Sequence, residues 1–318
     1  MIQRAFLLLA ALFAMSTQAQ QYPAKPVRIV VPFPPGGPVD VVTRIVAPKL
    51  GEVLGQQMVL DNRAGASGTI ATGIVARADA DGYVLLIGTT TTITVSPNLY
   101  RSLNYDPAKD LQPISRFADV PSVVVVHPSI SAKSVRELIV MAKAQPGKLS
   151  YGSAGSGTSQ HLAVELFKQM AGVDFLHVPY KGGAPAMADL LGGQIVMTIE
   201  PLNTALPQLR GGKLRGIAVT TLKRIPSLPE LPPVADTLPG YEATLWIGLL
   251  GPAGLRPQIV NTLHNAAVTA LQASDVRDLL AAQGASVIGD SVQEFGETIR
   301  RDSQKWSALV KKMGLTLD

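Results

Sequence analysis

The chain has 318 residues, of which 47% are hydrophobic, and it carries a formal net charge of +5. A chain of this length and apolar content can bury a large core, which indicates a globular protein of two domains. The absence of cysteine excludes disulfide bonds and thiolate metal sites. The lysines and arginines are dispersed and form no basic stripe with interleaved aromatic residues, which argues against nucleic-acid binding.

The first 19 residues have the features of a secretory signal. Arg4 precedes an apolar run of about eleven residues, which suits the core of a signal peptide and is shorter than the roughly 20 residues that cross a bilayer. Thr17 and Ala19 are small residues at the positions expected before a cleavage point, so we expect the mature chain to begin at Gln20. The alternative is a short N-terminal membrane anchor, but no neighbouring segment extends the apolar run. The segment therefore predicts an exported, periplasmic protein.

Strand-like and helix-like segments alternate in the next part of the chain. Short apolar runs rich in β-branched residues predict strands, and apolar residues at helical spacing predict helices. Strands are predicted at 27–33, 57–63 and 83–89, and helices at 39–55 and 68–82. This alternation is typical of βαβ units with a parallel sheet.

A second alternating series follows. Strands are predicted at 122–128, 149–155, 174–180, 195–201 and 214–220, and helices at 134–148, 158–172 and 184–193. A proline-rich run at 223–246 excludes regular helix or central strand for most of its length, so we predict an ordered surface connection there. The remaining segments, 256–272, 275–284 and 292–314, are predicted to be helical.

These elements predict two α/β lobes between which the chain crosses twice. The crossings are expected near Val120–Val123 and near Tyr241–Trp246. We therefore predict that lobe one consists of residues 20–122 plus 243–318, and that lobe two consists of residues 123–242. Two discontinuous lobes imply a cleft and a hinge, and ligands of open α/β sheets bind in the loops that follow the strands.

Four glycine-rich loops occur where a predicted strand leads into a helix. They are PFPPGGPVD (32–40), NRAGASGT (62–69), GSGT (155–158) and PYKGGAP (179–185). Glycine permits close approach of the backbone to a ligand, and the N–H groups at a helix N-terminus favour an anion. A single loop of this kind is more often a simple connection. Two such loops in each lobe, however, predict a site in which an anion is bound between the helix starts of both lobes, which we call an anion clamp.

Several polar side chains near these loops have two interpretations. His161 either donates a hydrogen bond to a ligand or braces the start of its helix, and the hydroxyls of Thr89–Thr92 either face the cleft or only form turns. Lys181 either pairs with an acidic ligand or is a solvated charge at the rim. Glu200 either faces the cleft, where it would favour an amine over an acid, or forms a hinge or interlobe hydrogen bond.

The sequence contains no recognisable catalytic motif. No P-loop, no G-x-G-x-x-G after the first strand and no G-x-S-x-G nucleophile elbow occurs. The four histidines lack metal-ligand spacing such as H-E-x-x-H. We therefore predict no catalytic residue, no metal and no cofactor. The alternative is an exported serine hydrolase that uses Ser156 with His161.

Three long stretches resemble the Bug-type substrate-binding proteins of tripartite tricarboxylate transporters. They include PVRIVVPFPPGGPVD (26–40), YGSAGSGTSQHLAVELF (151–167) and IPSLPELPPVADTLPGYEATLW (225–246), and together the similar segments cover most of the mature chain. The resemblance implies a periplasmic-binding-protein fold of type II. It also implies that a small carboxylate is held between the lobes by backbone amides, hydroxyl groups and ordered waters.

The loops and the resemblance together predict a set of ligand-binding residues. They are Phe33, Pro35, Gly36, Gly37, Asp40, Ser67, Gly68, Thr89, Thr90, Gly155, Ser156, Gly157, Thr158, His161, Tyr180, Lys181, Gly182 and Glu200. The chain departs from the family pattern at Pro34 and Pro35, at Ser67 and Thr69, and at Glu200, where aspartate is common. The sequence therefore does not distinguish between four classes of ligand: a dicarboxylate, a tricarboxylate, an amino acid and an aromatic acid.

The resemblance also implies a partner. We expect a monomer whose lobes close on the ligand and deliver it to a membrane permease, without covalent chemistry. The alternative is a ligand sensor that presents its closed form to a signalling ectodomain.

Overall fold

The structure is a computed structural model that describes residues 22–314 and residue 316. The predicted signal segment, residues 1–19, lies outside the described residues. Within the described part of the chain, no helix combines the length and the apolar character that a membrane span needs.

The first part of the chain forms the parallel units that the sequence predicts. Strand β1 pairs in parallel with β2 on one side and with β3 on the other. The elements in chain order are β1 (Val27–Val31), α1 (Pro38–Leu54), β2 (Met58–Asn62), α2 (Thr69–Ala76), β3 (Val84–Thr89), a π-helical turn (Thr90–Val95), α3 (Ser96–Leu99) and α4 (Pro107–Asp110).

One long strand, β4 (Leu111–Val126), connects the two halves of the molecule. Its first eleven positions lie beside β9 (Thr244–Pro252), and from Ser122 onward it pairs with β7 (Met197–Pro201) and β8 (Arg215–Val219) instead. The prediction that this strand begins at Ser122 is therefore wrong, and residues 247–252 were assigned to no strand, although the second crossing was expected near Tyr241–Trp246. Both strands run antiparallel to their neighbours, so the sheet of lobe one is mixed rather than parallel.

The segment between β4 and β9 corresponds to the predicted lobe two. The sheet order across the molecule is β2-β1-β3-β9-β4-β7-β5-β6, with β8 and β10 paired to β4 outside that path. The elements of lobe two are α5 (Val135–Ala144), β5 (Ser150–Ser153), α6 (Ser159–Ala171), β6 (Leu176–Pro179), α7 (Gly183–Leu191), β7 (Met197–Pro201), α8 (Leu202–Arg210) and β8 (Arg215–Val219).

The four valines at 123–126 explain why β4 stays central in lobe two. Side chains alternate across a strand, and Val123 and Val125 join one apolar cluster while Val124 and Val126 join another on the opposite face. All four are fully buried. Each buried valine stabilises the fold by about 1.5 kcal/mol or more relative to an exposed one. The strand therefore packs firmly against the apolar clusters on both of its faces.

The C-terminal helices pack against the elements formed by the first part of the chain. These elements are α9 (Pro257–Gln272), α10 (Ser274–Ala282), β10 (Ser286–Val287) and α11 (Val292–Met313). Leu263 and Leu280 pack in the same core cluster as Val42 of α1 and Ile29 of β1. The predicted bilobed α/β fold is thereby confirmed. The limits of the two lobes, 20–122 plus 243–318 and 123–242, stay a prediction.

Candidate ligand-binding cleft

The starts of three helices meet at a small cavity between the lobes. Helix α1 contributes its first residues from lobe one, and α6 and α7 contribute theirs from lobe two. The cavity volume is about 20 Å³, close to the space of one water molecule. It is lined by Phe33, Gly37, Pro38, Val39, Thr91 and Leu245 of lobe one and by Ala154, Thr158, Ser159, Gln160, Gly183 and Pro201 of lobe two. The first N–H groups of a helix have no intrahelical acceptor, so this cavity favours a negative charge.

Asp40 shapes the first glycine loop from behind rather than facing the cavity. Its carboxylate accepts hydrogen bonds from Gly36 N (2.9 Å), Arg44 Nε (2.8 Å) and Asn62 Nδ2 (2.9 Å). Burial alone would raise the pKa of Asp40, but the hydrogen bonds and charge of these neighbours hold it below its usual range. The carboxylate is therefore ionised and fixes the turn that leads into α1, and the Gly36 amide is already occupied.

The glycine loop before α6 is held mainly by its own side chains. His161 Nδ1 accepts from Gly157 N at 2.9 Å, and Gln160 Oε1 accepts from Ala154 N at 2.7 Å. Thr158 Oγ1 donates to Gly155 O at 2.8 Å. Because these bonds consume the amides of Ala154 and Gly157, they fix the loop conformation rather than offer donors to a ligand.

His161 lies in a stack of three rings behind this loop, of which Tyr151 and His161 are buried and His177 is half-buried. Its ring centroid is 4.1 Å from that of His177, which in turn lies 4.8 Å from Tyr151. Burial lowers the pKa of His161 to about 3, assisted by His177, and burial lowers the pKa of His177 to about 4. Both imidazoles are therefore neutral at neutral pH, and the Nδ1 of His161 remains an acceptor for Gly157.

The residues of the alternative serine hydrolase are not arranged for catalysis. His161 Nδ1 faces the Gly157 amide, so the expected pairing with Ser156 is absent among the described residues. Ser153 Oγ does lie 2.7 Å from His177 Nε2, but Ser153 is fully buried and lines neither this cavity nor the groove described below.

Glu200 lies one layer behind the cavity wall. Its carboxylate accepts from Gln160 Nε2 at 2.5 Å and from Thr204 Oγ1 at 2.6 Å, and the residue is fully buried. Burial raises the pKa of Glu200 to about 7, against the opposing effect of these two hydrogen bonds. Glu200 does not line the cavity, but its carboxylate orients Gln160, which does.

Hydrogen bonds and apolar contacts join the lobes directly around the cavity. Ser159 N donates to Thr91 Oγ1 at 2.9 Å, and Asn203 Nδ2 donates to Pro38 O at 2.9 Å. Leu162 of α6 packs in an apolar cluster with Trp306 of α11. The lobes are thus closed on each other, and a ligand larger than a water molecule enters only if they separate.

A wider groove opens at the mouth of the cleft. Its volume is about 560 Å³, and it shares Phe33 and Ala154 with the inner cavity. Ser67 Oγ donates to Ser156 O at 2.5 Å across its floor. The groove is lined by Phe33, Pro34, Ala64, Gly65, Ala66, Ser67, Gly68, Tyr100, Ala154, Gly155, Ser156, Pro179, Tyr180 and Lys181.

The predicted ligand-binding residues divide into three groups. Phe33, Gly37 and Thr158 line the inner cavity. The outer groove is lined by Phe33, Ser67, Gly68, Gly155, Ser156, Tyr180 and Lys181. The others support or flank the loops without lining either space: Pro35, Gly36, Asp40, Thr89, Thr90, Gly157, His161, Gly182 and Glu200.

Several residues that line the cavity were missed. Thr91 lies in the predicted threonine run, but the side chain of Thr89 caps the π-helical turn and Thr90 Oγ1 accepts from Trp246 N, so the hydroxyl beside the cavity belongs to Thr91. Gln160 lies next to His161 and was passed over in its favour. For both Thr91 and Gln160, the sequence showed only that the residue lies near the start of a helix. That position does not determine which of two adjacent side chains points into the cleft.

The comparison with family models decides the classification. The model described as "Tripartite tricarboxylate transporter family receptor" matches residues 42–315. This chain belongs to the tripartite tricarboxylate transporter receptor family. The resemblance to Bug-type substrate-binding proteins is thereby confirmed.

Solved structures of this receptor family agree with the fold. The R. palustris protein Rpa4515 with adipate is 38% identical, with a TM-score of 0.90 over 93% of this chain and 99% of that chain. The periplasmic binding protein BugD is 34% identical, with a TM-score of 0.88 over 93% and 99%. MatC from Rhodopseudomonas palustris with bound malate is 30% identical, with a TM-score of 0.87 over 91% and 100%. The chain is therefore a solute-binding receptor of the transporter type, in a family of periplasmic binding proteins.

Proposed function

We propose that this receptor captures a small carboxylate from the periplasm and presents it to a membrane permease. One observation carries the proposal: the starts of α1, α6 and α7 surround a single buried cavity, where the dipoles of three helices favour a carboxylate. The acids named for two relatives, adipate and malate, support the same ligand class.

The proposed mechanism is closure of two lobes around the acid. The inner cavity of about 20 Å³ is too small for an acid of several carbon atoms, so the lobes open to admit it and close again over its carboxylate. A ligand shifts such an equilibrium only through contacts that differ between the two states. The carboxylate contacts the helix starts of both lobes only when the lobes are closed, so its binding favours closure, and the interlobe hydrogen bonds to Thr91 and Pro38 stabilise the closed state further.

The test is a binding screen of mature protein that has been unfolded and refolded to remove any bound ligand. The panel contains adipate, malate, citrate, aspartate and benzoate, with the neutral diamide of adipic acid as a control. A ligand that binds only the native state raises the free energy of unfolding by about 2.7 kcal/mol at a hundredfold excess over its dissociation constant. We expect a rise in melting temperature with at least one acid and none with the diamide.

A pair of glutamine variants connects that result to the cavity. Gln160→Leu removes the amide that lines the cavity, whereas Gln194→Leu changes an exposed glutamine of lobe two. We expect only the first to weaken acid binding. If the diamide stabilises the protein as well as the acids do, or if no acid binds, the carboxylate function is refuted.

A further inference from the structure

The carboxyl group of Glu200 lies close to the inner cavity without lining it. Gln160 and Gly183 line the cavity, and so does Pro201, the next residue in the chain. Glu200 Oε2 lies 2.5 Å from Gln160 Nε2, and a Cβ atom built on Gly183 would lie 3.7 Å from Glu200 Oε1. An anion that enters the cavity therefore comes close to this carboxyl group.

No cation compensates a negative charge on Glu200, which is fully buried. The titratable and charged side chains on the elements that pack against β7, and at the adjoining start of α1, are Arg116, Asp119, Tyr151, His161, Glu165, Lys168, Asp189, Arg210, Asp40 and Arg44. Arg210 is exposed and the others bond to different groups, so none of them forms an ion pair with Glu200 in the described part of the chain. A buried carboxylate without a cation is costly, which favours the neutral acid.

The contacts of Thr204 mark a position for a proton on Glu200. Thr204 Oγ1 lies 2.6 Å from Glu200 Oε1 and 3.0 Å from Pro201 O. A hydroxyl group has one hydrogen to donate, so it bonds to only one of these two acceptors while Glu200 is ionised. With a proton on Oε1, Glu200 donates to Thr204, Thr204 donates to Pro201 O, and Gln160 Nε2 still donates to Oε2. The neutral acid therefore satisfies all three contacts and keeps Gln160 in place.

We propose that Glu200 takes up a proton from solvent when an acid binds in the inner cavity, so that the receptor captures its anion together with a proton. The proton adds to Oε1, the ligand stays ionised, and no covalent bond of the ligand changes. This inference rests on the proposed function, because it takes a carboxylate to lie at the helix starts. Glu200 is then a positioning residue, which in its neutral form holds Gln160 without repelling the anion.

The electrostatics of the site favour this coupling. Burial raises the pKa of Glu200 to about 7, so the ligand-free protein contains both forms near neutral pH. A second negative charge nearby disfavours the ionised form further. Binding of the anion and binding of the proton then favour each other, and affinity for the acid increases as the pH falls. His161 and His177, with pKa values of about 3 and about 4, do not titrate in this range.

The experiment is a calorimetric titration of the refolded protein at one pH in two buffers, phosphate and Tris, whose heats of ionisation differ. A proton taken up on binding comes from the buffer, so the difference between the two heats of binding gives the number of protons. The probes are adipate, malate, citrate, aspartate and benzoate. The wild type is compared with Glu200→Gln, which mimics the neutral acid, and with Glu165→Gln, which changes a carboxylate of lobe two that pairs with Lys168.

We expect the wild type to take up about half a proton per bound acid at pH 7.5, and its dissociation constant to rise about fivefold between pH 7 and 8.5. Glu200→Gln should bind the same acid without proton uptake and with an affinity independent of pH. Glu165→Gln should behave as the wild type does. A merely structural role of Glu200 would change the affinity by the same factor at every pH.

The outcomes separate this inference from the function on which it rests. Equal heats of binding in the two buffers overturn it while carboxylate binding stands, and this measurement on the wild type needs no variant to fold. Equal proton uptake by the wild type and Glu200→Gln, or loss of uptake in Glu165→Gln as well, overturns the assignment to Glu200. If no acid of the panel binds, the proposed function and this inference fail together.

Discussion

The side chain of Gln160 bridges Glu200 and the backbone of the glycine loop. Its Nε2 donates to Glu200 Oε2 at 2.5 Å, and its Oε1 accepts from Ala154 N at 2.7 Å. Gln160 also lines the inner cavity. A fully buried acid therefore sets the orientation of a residue that faces the ligand, which links the protonation of Glu200 to the shape of the site.

Glu200 should make the stability of the protein fall as the pH rises. Burial raises its pKa from 4.5 in the unfolded chain to about 7 in the folded one, so the folded state binds more protons between these values. The stabilisation is complete below pH 4.5 and is lost as the pH rises through 7, by on the order of 3 kcal/mol. Glu200→Gln removes this contribution.

The measurement is urea denaturation of the wild type and Glu200→Gln between pH 4.5 and 8. His161 and His177 have lowered pKa values and act in the opposite direction below pH 6.5, so the difference between the two proteins isolates Glu200. We expect Glu200→Gln to gain stability relative to the wild type as the pH rises. A difference that is constant over this range would show that Glu200 has an ordinary pKa.

Gly182 should be required for closure because of its contact with Pro34. A methyl group added to Gly182 would lie 2.9 Å from Cδ and Cγ of Pro34, on the opposite lobe. Gly182→Ala should therefore disfavour the closed state and weaken acid binding about tenfold, which corresponds to about 1.4 kcal/mol. Small-angle scattering should also give a larger radius of gyration at saturating ligand.

Part of the effect of Gly182→Ala arises from the backbone, because φ is +137° at this residue. Gly212→Ala is the control, since φ is +65° there and its added methyl group would meet no atom within 4 Å. Both variants should lose stability, by about 1–3 kcal/mol at most. Equal affinities for the two variants would contradict a role of the Pro34 contact in closure.

Thr91→Val should weaken ligand binding more than it lowers the stability of the ligand-free protein. The substitution preserves shape but removes the acceptor of the interlobe hydrogen bond from Ser159 N, at 2.9 Å. We expect a loss of about 1 kcal/mol in binding free energy, or roughly fivefold in the dissociation constant. Thr94→Val is the control, because its hydroxyl donates to Thr90 O within lobe one. Equal effects of the two variants on affinity would refute the role of the Thr91–Ser159 hydrogen bond in ligand binding.

His161→Phe should destabilise lobe two, because it leaves the Gly157 N–H buried without an acceptor. Such a loss costs about 1–3 kcal/mol, and it frees the glycine loop that lines the cleft. His161→Asn places an amide oxygen near the former Nδ1 position and should recover part of both stability and affinity. Chemical denaturation and calorimetry check this. If His161→Asn and His161→Phe have the same stability and affinity, the stacked rings, rather than the hydrogen bond to Gly157 N, account for the effect of His161.

The sequence predicted the parts of the cleft that depend on local chemistry. Glycines before apolar helical runs, such as Gly37 and Gly157, marked the loops at the helix starts, and the structure brings the starts of α1, α6 and α7 to one cavity. The direction in which each side chain points could not be predicted in the same way. Gln160 and His161 are adjacent, yet one lines the cavity and the other faces the loop interior, because their positions differ by about 100° around the helix.

The missed strands have a physical explanation as well. The part of β4 before Ser122 contains Pro113 and Pro121, and register shifts interrupt its pairing with β9. Proline inside a strand normally argues against that assignment, so tertiary pairing overrides the local signal. Helix α8 was missed for a similar reason, since Pro207 lies inside it. The capping threonine, Thr89, was predicted as a ligand contact because capping and ligand binding use the same hydroxyl chemistry.

The position of β9 constrains the order in which the chain assembles. In the sheet of lobe one, β9 lies between β3 and β4, although it follows all strands of lobe two in sequence. The sheet that contains β1 thus has an open edge until residues 244–252 arrive. Lobe two, by contrast, draws its strands from one uninterrupted segment after Ser122. Folding from the N-terminus therefore completes lobe two before lobe one, and until then the sheet that contains β1 keeps an unpaired edge strand exposed to chaperones or to aggregation.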